Sequence, residues 1–543
     1  MIWLAFALAA VPTVPTNPLA VYGAGDGSGG SVTITPTTPV SGPAYARIAG
    51  DIDVLDTEVD LVDASGFGIG DLVMFWQVTG PPEPDAGDEY ADLEDAGSYH
   101  LARVSGVTGN RLVLDGPVAR PFLSDHTQVV QVLQFQDLTI EQDAVVPVPP
   151  WNGETGGILF VTVAGTLDSQ GLIDGYGAGF RGGDHHDGSF DFGCEGLEND
   201  RAGRAGEGLH GTSERGRGNR GTGGGGGNCH HAGGAGGGHR GEGGGGGQSW
   251  DFARDVGGLG GAALPALVRD LPDLLVMGSG GGGGQTSGTA NVGHPGGGVV
   301  VVIAASVTSF GAVDVSGEGG GSGGENGGAG GGAGGTVVLV SMEAADCIAV
   351  RANGGAGMDS DDDFFGTCNG PGGGGGGGLV YMSPEPDGCA PQVVGGGNGV
   401  CDGRTGAGAD AGADGLVVLR AETDLDADGD GSPVWEDCED GDPRVTPGAE
   451  EICDNGVDDD CDLGTPDDCD ETGDTGVPAD TDVDADTDAD TDTDTDADAD
   501  TDVHSDTDVD VGVDEEIVAK GGCGCEQAPP SWWSALLAVV ARR

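Results

Sequence analysis

The chain has 543 residues; 115 are glycine, about three times the usual share, and only 5% are aromatic, which argues against collagen and against a large aromatic core. Its formal net charge is −71, from 91 acids against 20 bases, which excludes nucleic acid as a partner and favours divalent cations. Its 12 cysteines avoid CxxC and CxxH zinc spacings and read as disulfides of an oxidising compartment.

Residues 1–20 read as a signal peptide and a proline-rich junction. Met1 to Ala10 is apolar, with Ala7-Leu8-Ala9 as a cleavage site, although a basic start is lacking. Pro12, Pro15 and Pro18 then disfavour a strand. Residues 31–150 read as an all-β domain, with strand-like runs at Glu58 to Val62, Asp71 to Trp76, Arg111 to Leu114 and Gln128 to Leu133. A hairpin turn is expected at Gly109-Asn110. Phe67 to Val73, Gln128 to Gln131, Pro150 to Gly153, Gly156-Gly157 and Gly179 to Gly183 together resemble a glycine-rich module of many secreted bacterial proteins. The resemblance covers roughly residues 50–185 and implies surface location without an assigned reaction.

Residues 151–422 carry a loose repeat: two glycines, four to six apolar residues, a turn and a second short strand. The copies are Gly156 to Val163 with Gly171 to Asp174, Gly297 to Ile303 with Gly311 to Val315, and Gly334 to Val340 with Cys347 to Val350. Fragments follow at Gly378 to Met382 and Gly415 to Leu419. Two short strands in a unit of ~20 residues predict coils of a parallel β-solenoid. Glycine runs at 223–227, 243–247, 280–284 and 372–378 bury no side chains. They are either flexible loops or extended segments bundled sideways in polyproline II-like geometry.

Three chemistries can be drawn from this body. Asp184, His185, His186, Asp187, Glu195, His210, Cys229, His230, His231 and His239 mix imidazole and carboxylate and are candidate ligands for a scavenged transition metal. Asp174, Asp184, Asp187 and Asp314 are the candidate acids of a polysaccharide lyase or glycosidase on a β-helix. Cys194 with Cys229, and Cys347, Cys368, Cys389 and Cys401 among themselves, are candidate disulfides that pin loops.

Residues 424–470 form a carboxylate and cysteine module. Asp426, Asp428, Asp430, Ser432 through its carbonyl, and Asp437 fall at positions 1, 3, 5, 7 and 12 of a calcium loop, with Gly431 at the sharp turn. Asp458, Asp460 and Asp462 complete a second site or share the first. Hard oxygen ligands favour Ca2+. Cys438, Cys453, Cys461 and Cys469 are expected to form two disulfides, because so small a module lacks a sufficient core. The run 424–463 closely resembles the metal-binding motif of MopE-type bacterial surface proteins, a resemblance that implies copper as the rival metal.

Residues 471–516 read as a disordered acidic spacer, with aspartate at every second position from Asp480 to Asp502. A strand there would line like charges along one face, so a solvated, self-repelling chain is expected. In residues 517–543, Cys523 and Cys525 precede an apolar segment, Trp532 to Ala541, and the terminal Arg542 and Arg543. This order resembles the C-terminal sorting tails of myxobacterial surface proteins (MYXO-CTERM), which implies transient or terminal membrane association. The apolar segment is short for crossing ~30 Å of hydrocarbon, so it is either a shortened anchor or an interfacial one.

The expected fold is mainly β: an N-terminal all-β domain, a glycine-rich parallel β-solenoid-like body, a small module stabilised by disulfides and calcium, and a disordered stalk. The expected function is that of a non-enzymatic exported cell-surface protein, calcium-stabilised, in adhesion or in envelope or matrix structure. Its expected partners are divalent cations and a surface polysaccharide or another cell-surface protein. A carbohydrate-active β-helix enzyme and a metal scavenger are the alternatives.

Overall fold

Strands and glycine segments account for nearly all of the computed structural model, which describes residues 22–37, 42–80, 95–188, 196–264 and 274–420. Breaks fall at 212–213, 249–255, 289–290, 310, 344, 347, 363–365, 386–389 and 403–407, and a few positions between 444 and 452 are also described. The chain divides into two units, Met1–Thr472 and Gly473–Arg543, and every described residue belongs to the first. Its named elements are all strands.

An antiparallel sheet of six strands runs in the spatial order Tyr45–Arg47, Thr127–Gln131, Leu72–Gln77, Tyr99–Thr108, Arg111–Leu114, Glu58–Asp60. The expected hairpin is present: Thr108 faces Arg111, and Gly109 turns between them at a φ of 62°. Leu72–Gln77 is buried on both faces, which explains its unbroken apolar run. One face packs Phe75, Val73 and Val129 with Phe122 and Leu112. The other packs Leu72, Met74 and Trp76 onto the solenoid, where Trp76 Nε1 donates to the Leu275 carbonyl at 2.9 Å.

The solenoid has two parallel sheets. The first orders Val32–Ile34, Leu138–Ile140, Ile158–Ser169, Val299–Ser309, Thr336–Ser341, Leu379–Ser383 and Leu416–Leu419, with Leu133–Phe135 also paired to Ile158–Ser169. The second orders Val145–Pro147, Leu172–Asp174, Ala312–Asp314 and Ala349–Arg351. The register holds from Ile158 to Val163 and through the strands paired to that stretch, with one irregularity between Val163 and Thr166, so side chains there stack in columns. Val161, Val302, Leu339, Met382 and Leu419 are successive partners facing the second sheet. One residue earlier, Phe160, Val301, Val338, Tyr381 and Val418 form the column that faces the antiparallel sheet. The doubled glycines and apolar runs read from the sequence are these coils. The glycine stretches that separate the repeats in the sequence lengthen each coil. First-sheet strands start at Val299, Thr336, Leu379 and Leu416, intervals of 37, 43 and 37 residues, because a glycine excursion belongs to every coil.

Each excursion leaves the second sheet along one glycine segment and returns to the first along another: 315–320 and 326–335, 352–358 and 370–378, 393–399 and 409–415. Further segments between 179 and 298 lie among them. Of the two readings of the glycine runs, the bundled one holds. In 276–285, the amides of Gly278, Gly281 and Gly284 donate to Gly297, His294 and Asn291. Those of Gly280 and Gly283 donate to Glu207 and Arg204, and those of Gly282 and Gln285 to Ala235 and Ala232. The carbonyls of Gly278, Gly281 and Gly284 accept from Phe180, Gly183 and His186. Those of Gly280 and Gly283 accept from Gly224 and Gly227, and those of Gly282 and Gln285 from Gly330 and Gly327. The donors repeat every third residue, the period of a polyproline II helix. The segment 276–285 is thereby held by six hydrogen-bonded neighbours, and 232–238, 327–335 and 370–378 are surrounded in the same way. Glycine is required by space. A Cβ at Gly282 would collide with the Gly225 carbonyl oxygen, and one at Gly373 with that of Gly244.

Candidate functional site

Side chains on the second sheet alternate in and out. Val146, Ile173, Val313 and Val350 enter the core. The next position outward gives a lane of Pro147, Asp174, Asp314 and Arg351, continued by a parallel bridge from Arg351 to Gln392. The two acids therefore sit on adjacent coils in register, where parallel strands lie ~4.8 Å apart. They are equivalent residues of two repeats, at the end of a second short strand in each.

Both acids also serve the corner that follows them. Asp174 Oδ1 accepts from the Tyr176 amide at 3.1 Å and Asp314 Oδ1 from the Ser316 amide at 3.0 Å, so each closes a turn into a glycine segment. Arg351 Nη1 lies 3.8 Å from Asp314 Oδ2; both groups meet solvent, so the pair is worth under ~1 kcal/mol. Tyr176 is half-exposed beside them. Burial raises the Tyr176 phenol above its usual value, and the carboxylates of Glu318, Asp314 and Asp174 push it further up. His294 Nδ1 lies 4.0 Å from Glu318 Oε1, and burial lowers the His294 pKa although Glu318 opposes the shift. The result is an exposed strip of carboxylates with one aromatic ring and one arginine, a surface able to hydrogen-bond sugar hydroxyls or attract cations. Tyr176, Glu318 and Arg351 had no signal of their own in the sequence. They are found only once coil register places them beside Asp174 and Asp314.

Asp184 and Asp187 do not join this pair. The Asp184 carbonyl accepts from the Arg204 amide within the glycine bundle, and Asp187 pairs with Thr286 on a two-residue strand. Nor are the described histidines gathered around one point. His239 is buried, with Nε2 3.1 Å from both the Val276 carbonyl oxygen and Thr336 Oγ1. Burial, with help from Arg240, pushes its pKa down to about 3, which makes it a neutral core histidine. His231 lies elsewhere, with Nδ1 3.2 Å from Asn369 Oδ1. Among the described residues, the group of three metal-capable side chains is instead Asp362, Cys368 and Cys401. Of the candidate disulfides, Cys368–Cys401 is formed, and Cys229 is also disulfide-bonded. Cys194, Glu195, Cys347 and Cys389 lie outside the described residues. So do Asp426, Asp428, Asp430, Ser432, Asp437, Asp458, Asp460 and Asp462, as well as Cys438, Cys453, Cys461, Cys469, Cys523, Cys525, Arg542 and Arg543.

No family model matches the chain, and no curated protein matches it. Among solved structures it is similar to the Gp54 tailspike of Acinetobacter baumannii bacteriophage AP22, in complex with A. baumannii capsular saccharide. That match has 8% identity and a TM-score of 0.15, and covers 63% of this chain and 45% of that one. The tailspike gp61 of Pseudomonas phage phi297 matches at 11% identity and a TM-score of 0.15, over 70% of this chain and 62% of that one. The tailspike gp49 of Pseudomonas phage LKA1 matches at 10% identity and a TM-score of 0.14, over 65% and 62%. The chain spans less than two thirds of the length of each. At such identities and scores the likeness carries no argument about chemistry.

Proposed function

We propose that the chain is an exported, non-enzymatic surface protein: a rigid β body displayed on the acidic stretch 471–516, engaged in adhesion or in the envelope, with surface polysaccharide as its partner. The glycine bundle carries this reading. A large share of the body is spent on segments whose amides and carbonyls hold one another, a construction that supplies stiffness and no reactive side chain. The corner acids fit the same picture, since each is already bonded to a backbone amide. Export is supported by the apolar start of the sequence, the tail around Cys523 and Cys525, and the disulfides at Cys229 and Cys368–Cys401. In the same proposal Asp426, Asp428, Asp430, Ser432 and Asp437 hold Ca2+, with Asp458, Asp460 and Asp462 beside them, and Cu2+ is the rival ion.

Purified full-length protein is expected to bind acidic or neutral surface polysaccharide without releasing shorter products. Millimolar Ca2+ is expected to stabilise the oxidised chain by about 0.4–1.4 kcal/mol, as for other weak extracellular sites, and the Asp428→Asn/Asp430→Asn variant is expected to lose the effect. A response to Cu2+ in place of Ca2+ would reverse the choice of metal.

A second reading is favoured by one observation, the in-register pair Asp174 and Asp314. Strands ~4.8 Å apart put the two acids on neighbouring coils, and paired carboxylates across a sugar bond are what glycosidases use. Turnover of a polysaccharide, abolished by Asp174→Asn and by Asp314→Asn, would replace the binding role with this one.

A further inference from the structure

The turn ends of the glycine excursions hold side-chain chemistry that a display role leaves unused. Ser360 bridges Cys401 in parallel, and Asp362 bridges Cys368. Cys401 is fully buried. Asp362 Oδ1 lies 3.4 Å from Cys368 Sγ and 3.4 Å from Cys401 Sγ, and these three atoms all lie within 4.8 Å of one another. The two sulfurs are joined as a disulfide, so the group holds no metal in this state.

Neither sulfur of the disulfide has a proton to donate, so the Asp362 oxygen makes no hydrogen bond to this pair in the oxidised state. The same oxygen facing two thiols accepts two S–H hydrogen bonds. Facing two thiolates, it repels both unless a cation lies among them. The geometry points to a redox-gated site for a thiophilic dication such as Zn2+, held by Asp362, Cys368 and Cys401 with water in the fourth tetrahedral position.

Oxidation closes this site and a dithiol reductant opens it. One thiolate of the reductant attacks a protein sulfur and forms a mixed disulfide. Its second thiol displaces that sulfur, so Cys368 and Cys401 leave as thiols and the reductant takes the disulfide, two electrons having passed to the protein. Zn2+ then binds with release of the two thiol protons. Because the ion binds only the reduced form, it favours reduction and hinders reoxidation by the same factor. This site is distinct from the proposed calcium loop, which offers hard oxygen ligands.

The test uses the full chain after dithiol treatment, with Cd2+ as a probe whose thiolate bonds absorb in the ultraviolet. The wild type is expected to take up about one more Cd2+ than Cys368→Ser/Cys401→Ser, with a matching loss of thiolate-to-metal absorption. Asp362→Asn keeps both cysteines and their disulfide, and is expected to bind at least about tenfold more weakly. Zn2+ is expected to lower the reductant concentration at which Cys368 and Cys401 are found reduced, as read by quenching in acid, removing the ion with a chelator under denaturing conditions, alkylating and identifying the peptides by mass spectrometry. Equal uptake by the wild type and the double variant, or alkylation of this pair indifferent to Zn2+, overturns the site. Equal affinity in Asp362→Asn overturns the three-residue site. Should the double serine variant not fold, Asp362→Asn and the alkylation readout decide.

Discussion

Two cores lie side by side in this molecule, and opposite forces hold them. Between the parallel sheets, columns such as Val161, Val302, Leu339 and Met382 exclude water with side chains, the ordinary means of stabilising a domain. In the glycine bundle there are almost no side chains to bury. Cohesion there comes from amide and carbonyl groups, each paired with another segment of the same kind. A single such bond contributes only about 0.5–1.5 kcal/mol net, so the bundle depends on completeness rather than on any one contact. The two cores should therefore fail differently. The apolar one tolerates a lost methyl group by partial collapse; the backbone one has no slack on the side where a methyl group would be added.

The largest effect is expected where the bundle is most crowded. Gly282→Val places a branched side chain against the Gly225 carbonyl, with backbone on every side, and is expected to cost more than about 4 kcal/mol or to prevent folding of the body. Denaturant unfolding followed by circular dichroism measures it. A midpoint near that of the wild type would mean that the segments are not packed as described. Next comes the apolar core: Leu339→Ala is expected to cost about 2–5 kcal/mol in the same assay, while leaving a folded protein. A smaller effect concerns pH. His239 has its pKa depressed to about 3, so the unfolded chain, near 6.5, binds the extra proton between these values. Stability is therefore expected to fall as pH drops from 6.5 toward 3, by up to about 1.4 kcal/mol per pH unit from this group. His100, depressed to about 4 by its own burial, acts in the same direction. His239→Gln should flatten the slope; an unchanged slope would assign it to other groups. The smallest effect marks the edge of the bundle. A Cβ at Gly397 meets nothing within 4 Å, so Gly397→Ala is expected to stay within about 0.5 kcal/mol of the wild type.

The apolar core was legible in the sequence and the backbone core was not. Paired glycines before Ile158, Val299, Thr336 and Leu379, and the single Gly415 before Leu416, announced the coils, because apolar runs of strand length are a side-chain signal. The Gly109-Asn110 hairpin was legible for a similar reason, as a turn that demands particular residues. A run such as 280–284 has no pattern from which to infer a partner, so flexible and bundled states look alike until the neighbours are placed. The site was half legible. Asp174 and Asp314 occupy equivalent places in two copies, so their stacking follows from the repeat once the coils are accepted. Asp362 and its two cysteines come together only because separate excursions turn at the same end, which no spacing along the chain encodes.

The three-residue period of the bundle acts as a reading frame. Removing three consecutive glycines shortens a segment by one turn and returns every later amide to the neighbour it had before. Removing one rotates all that follows by a third of a revolution, so donors aimed at one neighbour face another whose carbonyls are already taken. Length variation in these segments should accordingly come in triplets, a rule imposed by angular phase on a tract that otherwise looks free of any constraint but composition.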